Sequence, residues 1–407
     1  MNTVPLYLEK DFGSTNRLFL MLGPACNMCC RHCVENPQKQ VLFTMGLNAT
    51  NLKIDEKVLL LIENFIKNVK KGKPKIVFWG GEPLLYWNTI CKVTEYIFEK
   101  CKGFDYILSI TTNGLLITDD KIDFLNQHNF MVHFSYDAPY PWAVRDYVSD
   151  EICDKMKKIR GLRILTGYCA YNCDPMLAHS CLLKKFPNVP IDFSVFLGHS
   201  FAMPEDIYAW NWDMIYCALR KLRIGSQLGN RMAYMYLLTN FGLARGNSIW
   251  DNSITYSGVR KKCVAGYDKL CVTSNGDIIS CHVGSKIIGS IYDNFALLKE
   301  KASIYTASQS SSQCATCRHI GICLGNRCYL NLKEPDGSYV FCKGYYLPFF
   351  DALKKELLKL SSPLSDIDIK WYEEQMKITD QQVDRFLLEG QRYEKEHTRF
   401  PIECFAK

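Results

Sequence analysis

Gly23-Pro24-Ala25-Cys26-Asn27-Met28-Cys29-Cys30-Arg31-His32-Cys33 is the stretch that decides how this chain is read. Cys26, Cys30 and Cys33 stand at C-x3-C-x2-C spacing. An iron–sulfur cubane is normally held by four cysteine thiolates, so a compact loop that supplies three leaves one iron open to another ligand. A zinc site built from the same residues would still want a fourth nitrogen or sulfur to close its tetrahedron. The loop follows directly on the apolar run 18–22, a short unbroken stretch of the kind that forms a strand buried on both faces.

Outward from that loop, residues 17–198 alternate strand-like and helix-like segments, the mark of βα units around a parallel sheet. Strands are expected at 18–22, 76–79, 106–111, 131–135, 163–168 and 191–196. A helix is expected over 55–69, with Val58, Ile62, Phe65, Ile66 and Val69 on one face and Asp55 as N-cap. Further helices are expected over 87–101 and 117–127. Polar motifs fall where strands end: Gly80-Gly81-Glu82-Pro83, Thr112-Asn113-Gly114 and Ser135-Tyr136-Asp137. That edge of a parallel sheet is where α/β proteins build their sites. Two amphipathic helices follow at 204–223 and 231–243. The composition then shifts at Cys263, and the chain is helical again from 346. Thr379-Asp380-Gln381-Gln382 matches a capping box, placing a helix start ahead of Val383, Phe386 and Leu387. No repeat or low-complexity tract is visible.

At 407 residues and 48% hydrophobic content the chain can bury one large core or a few smaller ones. No apolar run approaches the roughly 20 residues that span a bilayer, and no h-region precedes residue 17. Twenty cysteines in a chain of this size, with no export signal, fit metal thiolates in a reducing cytoplasm better than disulfides. Cys91, Cys153, Cys169 and Cys217 stand singly and read as small buried apolar residues. The net charge of +7 is scattered rather than blocked, which gives no reason to expect nucleic acid.

The cysteine loop with Gly80-Gly81-Glu82-Pro83 resembles the signature of the radical S-adenosylmethionine (SAM) enzymes. The resemblance implies an α/β fold, a partial (β/α)6 TIM barrel. It implies that Cys26, Cys30 and Cys33 hold a catalytic [4Fe–4S] cluster whose open iron chelates SAM. Gly80, Gly81 and Glu82 would receive the SAM amino group, and His32 would stack near the adenine. Thr112, Asn113, Ser135 and Asp137 occupy strand ends where family members contact the SAM carboxylate and ribose. Asn-Gly and Asp-Ala-Pro segments also arise as ordinary turns, so these last four carry less specific information.

A second cysteine field, Cys263, Cys281, Cys314, Cys317, Cys323, Cys328 and Cys342, resembles the SPASM extension of the same enzymes. It departs from the family pattern in having four residues, 324–327, between Cys323 and Cys328 where three are usual. The resemblance implies two auxiliary [4Fe–4S] clusters, one held by Cys263, Cys281 and Cys328, the other by Cys314, Cys317, Cys323 and Cys342. That makes three clusters in all. Cys271 either closes the first auxiliary cluster or is a strand residue. The expected division is a barrel over 1–200, a helical linker over 201–260, the auxiliary-cluster domain over 261–350 and C-terminal helices over 351–407.

The resemblance implies an oxidoreductase that cleaves SAM to a 5′-deoxyadenosyl radical and oxidises a precursor peptide, forming a crosslink in a ribosomally made product. Its reductant would be a flavodoxin or ferredoxin. His282, a further catalytic candidate, follows Cys281 where sulfatase-maturing members place an Asp, which argues against formylglycine formation. The barrel begins too early for an N-terminal leader-binding domain, so a separate leader-binding protein, the barrel surface or the C-terminal helices would take that role. The alternatives are a dehydrogenase of a small alcohol or sugar and a formylglycine-forming maturase. Gly-x-Ser-x-Gly, Gly-x4-Gly-Lys and His-Glu-x-x-His motifs are all absent.

Overall fold

The computed structural model describes residues 16–30, 33, 52–69, 72–139, 145, 148–168, 173–195, 212–234, 237, 269–273, 275–279, 287–293 and 347–396. Six strands, β1 (Arg17–Met21), β2 (Lys75–Trp79), β3 (Ile107–Thr112), β4 (Met131–Ser135), β5 (Leu162–Tyr168) and β6 (Ile191–Val195), pair in parallel and in chain order. All six match the segments expected from the sequence to within a residue. The sheet does not close, as a partial barrel requires. It continues beyond β1 through β7 (Lys269–Val272), which lies parallel to it, and then antiparallel β8 (Asp277–Ile279) and β9 (Ile287–Ser290).

Helices α1 (Glu56–Asn68), α2 (Trp87–Lys100), α3 (Asp119–Gln127), α4 (Asp150–Lys157) and α5 (Pro175–Lys185) follow the strands. Asp55 caps α1, its carboxylate accepting from the Val58 amide at 3.0 Å. The buried stripe of that helix, including Val58, Ile62, Phe65 and Ile66, shares one core with the outward residues of the sheet, Leu18, Leu20, Ile76, Phe78, Ile110 and Val132. Strand alternation sends the other set of side chains to the inner face. Near β1 this face is apolar, with Phe19, Met21, Val77, Cys271 and Ile279 in one cluster. Toward β4–β6 it becomes polar, carrying His133, Arg163 and Asp192.

Helices α6 (Trp212–Gln227), α7 (Leu347–Leu358) and α8 (Asp366–Glu396) build a second core with Met176 of α5, and Val383 and Phe386 of α8 join the barrel core. The buried cations of α6 are paired: Lys221 with Asp174, Arg223 with Glu356 at 2.7 Å. The helix start expected at Thr379 does not occur. Thr379 lies inside α8, its hydroxyl donating to the Gln375 carbonyl at 2.9 Å and accepting from Lys221 at 3.1 Å. A Thr hydroxyl can bond the carbonyl four residues back within a helix, so the local pattern does not distinguish start from interior. Among the described residues no helix is long and apolar enough to cross a membrane.

Candidate active site

The two sequence motifs meet where β1 and β2 end. Register pairs Met21 with Trp79, so the chain leaves both strands side by side. The Gly81 amide then donates to the Gly23 carbonyl at 2.9 Å, and the Glu82 amide to the Ala25 carbonyl at 2.8 Å. A methyl group on Gly81 would stand 2.3 Å from the Ala25 oxygen and 2.4 Å from that of Pro24; one on Gly80 would stand 2.5 Å from the Gly23 oxygen. Backbone oxygens held by hydrogen bonds cannot step aside, so glycine here is a condition for the two loops to touch. Tyr86 completes the clasp. Its hydroxyl accepts from the Ala25 amide at 2.9 Å and fills the space where Gly23 would carry a side chain.

Glu82 is 1% exposed. Its carboxylate accepts from Thr112 Oγ1 at 2.7 Å, the Asn113 amide at 2.8 Å and the Leu84 amide at 3.0 Å. Glu82 thereby ties the end of β2 to the end of β3. Burial pushes its pKa above the usual carboxylate range, against the pull of those three donors and of Arg145. An ionised carboxylate offers about four acceptor positions, so roughly one is left for an incoming cation. Asn113 turns from that clasp to the cysteine loop, its amide nitrogen 2.8 Å from Asn27 Oδ1 and 3.9 Å from Cys26 Sγ.

Asp137 plays the corresponding part between β4 and β5, accepting from the Gly167 amide at 2.7 Å. Its other oxygen takes the Arg145 Nε at 2.9 Å, and Arg145 Nη1 reaches Cys30 Sγ at 3.7 Å. Burial by itself would favour the neutral guanidine, but Asp137 and the neighbouring Cys30 and Cys33 outweigh it and hold Arg145 charged. Ser135 ends β4 on the inner face.

Cys30 is buried, while Cys26 and Cys33 are half-buried. Burial drives the Cys26 thiol far above its ordinary pKa, so a thiolate at that position needs a cation on the sulfur. Among the described residues no three His, Cys, Asp or Glu side chains converge as they would on a single metal ion. A four-iron cluster asks for something else, cysteines spaced to bind separate irons. The residues present fit it: three cysteines on one loop, with the Asn113 amide and the Arg145 guanidinium directed at two of the sulfurs.

The structure thus brings Cys26, Cys30, Cys33, Gly80, Gly81, Glu82, Thr112, Asn113 and Asp137 to one edge of the sheet. Cys271 sits elsewhere, buried in β7 and paired in register with Phe19. His32, Cys263, Cys281, His282, Cys314, Cys317, Cys323, Cys328 and Cys342 lie outside the described residues. Sequence reasoning missed Arg145 and Tyr86. Tyr86 stands four residues beyond Glu82, a spacing that could have flagged it; nothing local marks Arg145.

Residues 20–174 match the Radical SAM superfamily. Over most of its length the chain is similar to two curated proteins. The radical SAM cyclopropyl synthase TigE of Paramaledivibacter caminithermalis is 26% identical over 90% of this chain and 81% of that protein. A serine-type anaerobic sulfatase-maturating enzyme of Bacteroides thetaiotaomicron is 22% identical over 84% of this chain and 92% of that one. Among solved structures, native anSMEcpe with bound AdoMet and Cp18Cys peptide superposes with a TM-score of 0.60 at 18% identity, covering 84% of this chain and 98% of that one. SuiB of Streptococcus suis, bound to S-adenosylmethionine, gives 0.53 at 15% identity over 78% and 73%. At such identities these two likenesses show the fold. The matched segment, the parallel sheet and the clasped cysteine loop agree: residues 20–174 carry a radical SAM domain.

Proposed function

We propose that the chain is a maturase that oxidises, and crosslinks, a ribosomally made peptide. The observation that carries this reading is the extent of the similarity. The match to TigE spans 90% of the chain, so it reaches past the barrel and into the region of seven cysteines. The sulfatase-maturating relative acts on a protein, and anSMEcpe was solved with a peptide bound. Both support a polypeptide substrate here over a sugar or alcohol.

Cys26, Cys30 and Cys33 would hold the SAM-binding cluster. Cys263, Cys281 and Cys328, with or without Cys271, would hold one auxiliary cluster, and Cys314, Cys317, Cys323 and Cys342 the other. When bound, these groups and SAM supply a carbon radical that abstracts hydrogen and an outlet for the second electron. The chain's own part is to hold and orient. Glu82 keeps an acceptor for the SAM ammonium, Asn113 and Arg145 hold the cysteine loop in place, and the barrel wall excludes water. A second reading, formylglycine formation, is disfavoured by His282 at the position where sulfatase maturases carry Asp.

The test is to incubate anaerobically reconstituted enzyme with SAM, a reductant and the short peptide encoded beside it. A crosslink removes two hydrogens, so the expected product is lighter by about two mass units and resists thiol alkylation. Replacing Cys314 and Cys317 by Ala should abolish it. A wild-type rate in that variant, or turnover of a polyol but no peptide, would overturn the reading.

A further inference from the structure

At the end of the inner face opposite the cysteine loop, the strands begin with charges. Lys75 opens β2 and Met131 opens β4, with Arg163 and Asp192 near the starts of β5 and β6. Arg163 spends two donors on Asp192, at 2.6 and 2.7 Å. Among the described residues Lys75 has no such carboxylate. Its ammonium donates to the Met131 thioether sulfur at 3.3 Å, a weak acceptor. Burial, with the like charges of Arg17 and Arg163, depresses the Lys75 pKa, and Asp192 only partly opposes this.

Two neutral groups face the same place. Ser109 lies on the inner face in register with Val77 on one side and Met131 on the other, and it is 1% exposed. Among the described residues its hydroxyl has no hydrogen-bond partner, and neither has Nε2 of His133, two residues along β4 from Met131. Buried polar atoms are nearly always satisfied, and one left bare costs free energy until a ligand or water meets it. The Arg163 and Asp192 side chains are 33% and 36% exposed, so solvent reaches the β5–β6 side of this end, next to the buried Ser109 hydroxyl and His133 Nε2.

We propose that this mouth of the barrel is an anion subsite that receives one carboxylate of the substrate, held by Lys75 Nζ, Ser109 Oγ and His133 Nε2. Arg163 is already taken by Asp192, which leaves the Lys75 ammonium, bonded only to a thioether among the described residues, beside two neutral donors. That set matches a singly charged carboxylate better than a phosphate dianion. Resting on the peptide reading above, the carboxylate is an Asp or Glu side chain or the peptide's C-terminus. Between Lys75 and the loop at Gly80 run five residues of strand, about 16 Å. An extended peptide covers that distance in about five residues, so the acidic group sits about that far from the residue that reacts.

The test uses anaerobically reconstituted enzyme labelled with 13C-methyl methionine, so that the Met131 methyl reports on Lys75. Acetyl-Ala-Ala-Glu-amide should shift that signal saturably. The Gln counterpart should bind about tenfold more weakly or worse, as loss of a charged hydrogen bond implies. Lys75→Met and Ser109→Ala should weaken the Glu probe, Lys75→Arg should retain part of it, and Asp192→Asn should tighten it. Equal binding of the Glu and Gln probes, or wild-type binding by a Lys75→Met protein with a normal melting curve, overturns the subsite. Acetate binding as tightly as the Glu probe would assign the place to free small acids and overturn the peptide assignment. Binding is read without turnover, which separates the two readings. Carboxylate-dependent binding with no peptide modified keeps the subsite and removes the maturase. Equal modification of a peptide and its acid-to-amide counterpart does the reverse.

Discussion

The two ends of the same strands are built on opposite terms. At the C-terminal edge the polar groups answer one another inside the protein: Glu82 takes three donors, Asp137 takes Gly167 and Arg145, and the amides of Gly81 and Glu82 close on the loop before Cys26. At the N-terminal end of the inner face, Lys75 meets a thioether, while Ser109 and His133 Nε2 meet no hydrogen-bond partner among the described residues. A fully satisfied network is rigid and defines one arrangement. Groups left without partners define instead what has to arrive. On the readings proposed above, the first end would hold the cofactor before any chemistry, and the second would take from the substrate what the fold omits.

The contrast breaks most easily at Gly81. Gly81→Ala drives a methyl into two backbone oxygens that have no room to retreat. The cost should be about 3 kcal/mol or more, concentrated at the cysteine loop, with iron incorporation at that loop and deoxyadenosine formation both lost. Intact iron content and SAM cleavage in this variant would refute the clasp.

Glu82→Gln sharpens the same end. It removes the charge and turns one acceptor into a donor facing Thr112 or the Asn113 amide. Charged hydrogen bonds contribute about 1.5–3 kcal/mol, so SAM should bind about ten- to a hundredfold more weakly in isothermal titration, with the clusters retained. Unchanged affinity in a folded protein would mean that Glu82 serves only to tie β2 to β3.

Arg145→Met should slow SAM cleavage by about tenfold, equivalent to about 1.4 kcal/mol. It should also change the electron paramagnetic resonance signal of the reduced cluster, since the guanidinium lies against Cys30. A purely structural arginine would alter stability and leave that spectrum alone. Arg145→Lys should restore part of both.

The smallest expected effect belongs to the open end. Burial and the positive charge of Lys75, with a smaller contribution from Arg163 and against the pull of Asp192, push His133 from 6.5 down to about 4. Between those values the unfolded chain binds a proton that the folded chain refuses. Stability should therefore fall as pH drops from about 6.5 toward 4, and this contribution should be flat above that window. Denaturation of wild type and His133→Asn across the window isolates it from the carboxylates that titrate nearby. A saturating acidic peptide should shrink the difference, because an anion beside His133 favours the protonated ring.

Much of this was legible in the residues because it depends on neighbours in the chain. Strands such as Lys75–Trp79 and Met131–Ser135 declare themselves by short apolar runs bounded by turn residues, and α1 by its stripe and its Asp55 cap. Thr379 shows the limit of such patterns. The same four residues suit a helix start or a helix interior, and the choice came from Lys221 on another helix needing a buried acceptor. Arg145 had no legible signal at all, since its partners lie 8 and 115 residues away in sequence.

Spacing by itself pointed to a cluster: three thiolates within eight residues suit a four-iron cluster with one open iron. The alternating βα segments, with polar motifs after the first four strands, placed those thiolates and motifs at one edge of the sheet. Only the tertiary structure decided why Gly80 and Gly81 have to be glycines, because the oxygens they would strike belong to Gly23, Pro24 and Ala25 on a different strand's loop. It decided also that β7 extends the barrel sheet, and that Lys75, Ser109 and His133 share one face of three neighbouring strands. Those relations depend on register across parallel strands, which is set by pairing between segments far apart in the chain and leaves no mark in the local sequence.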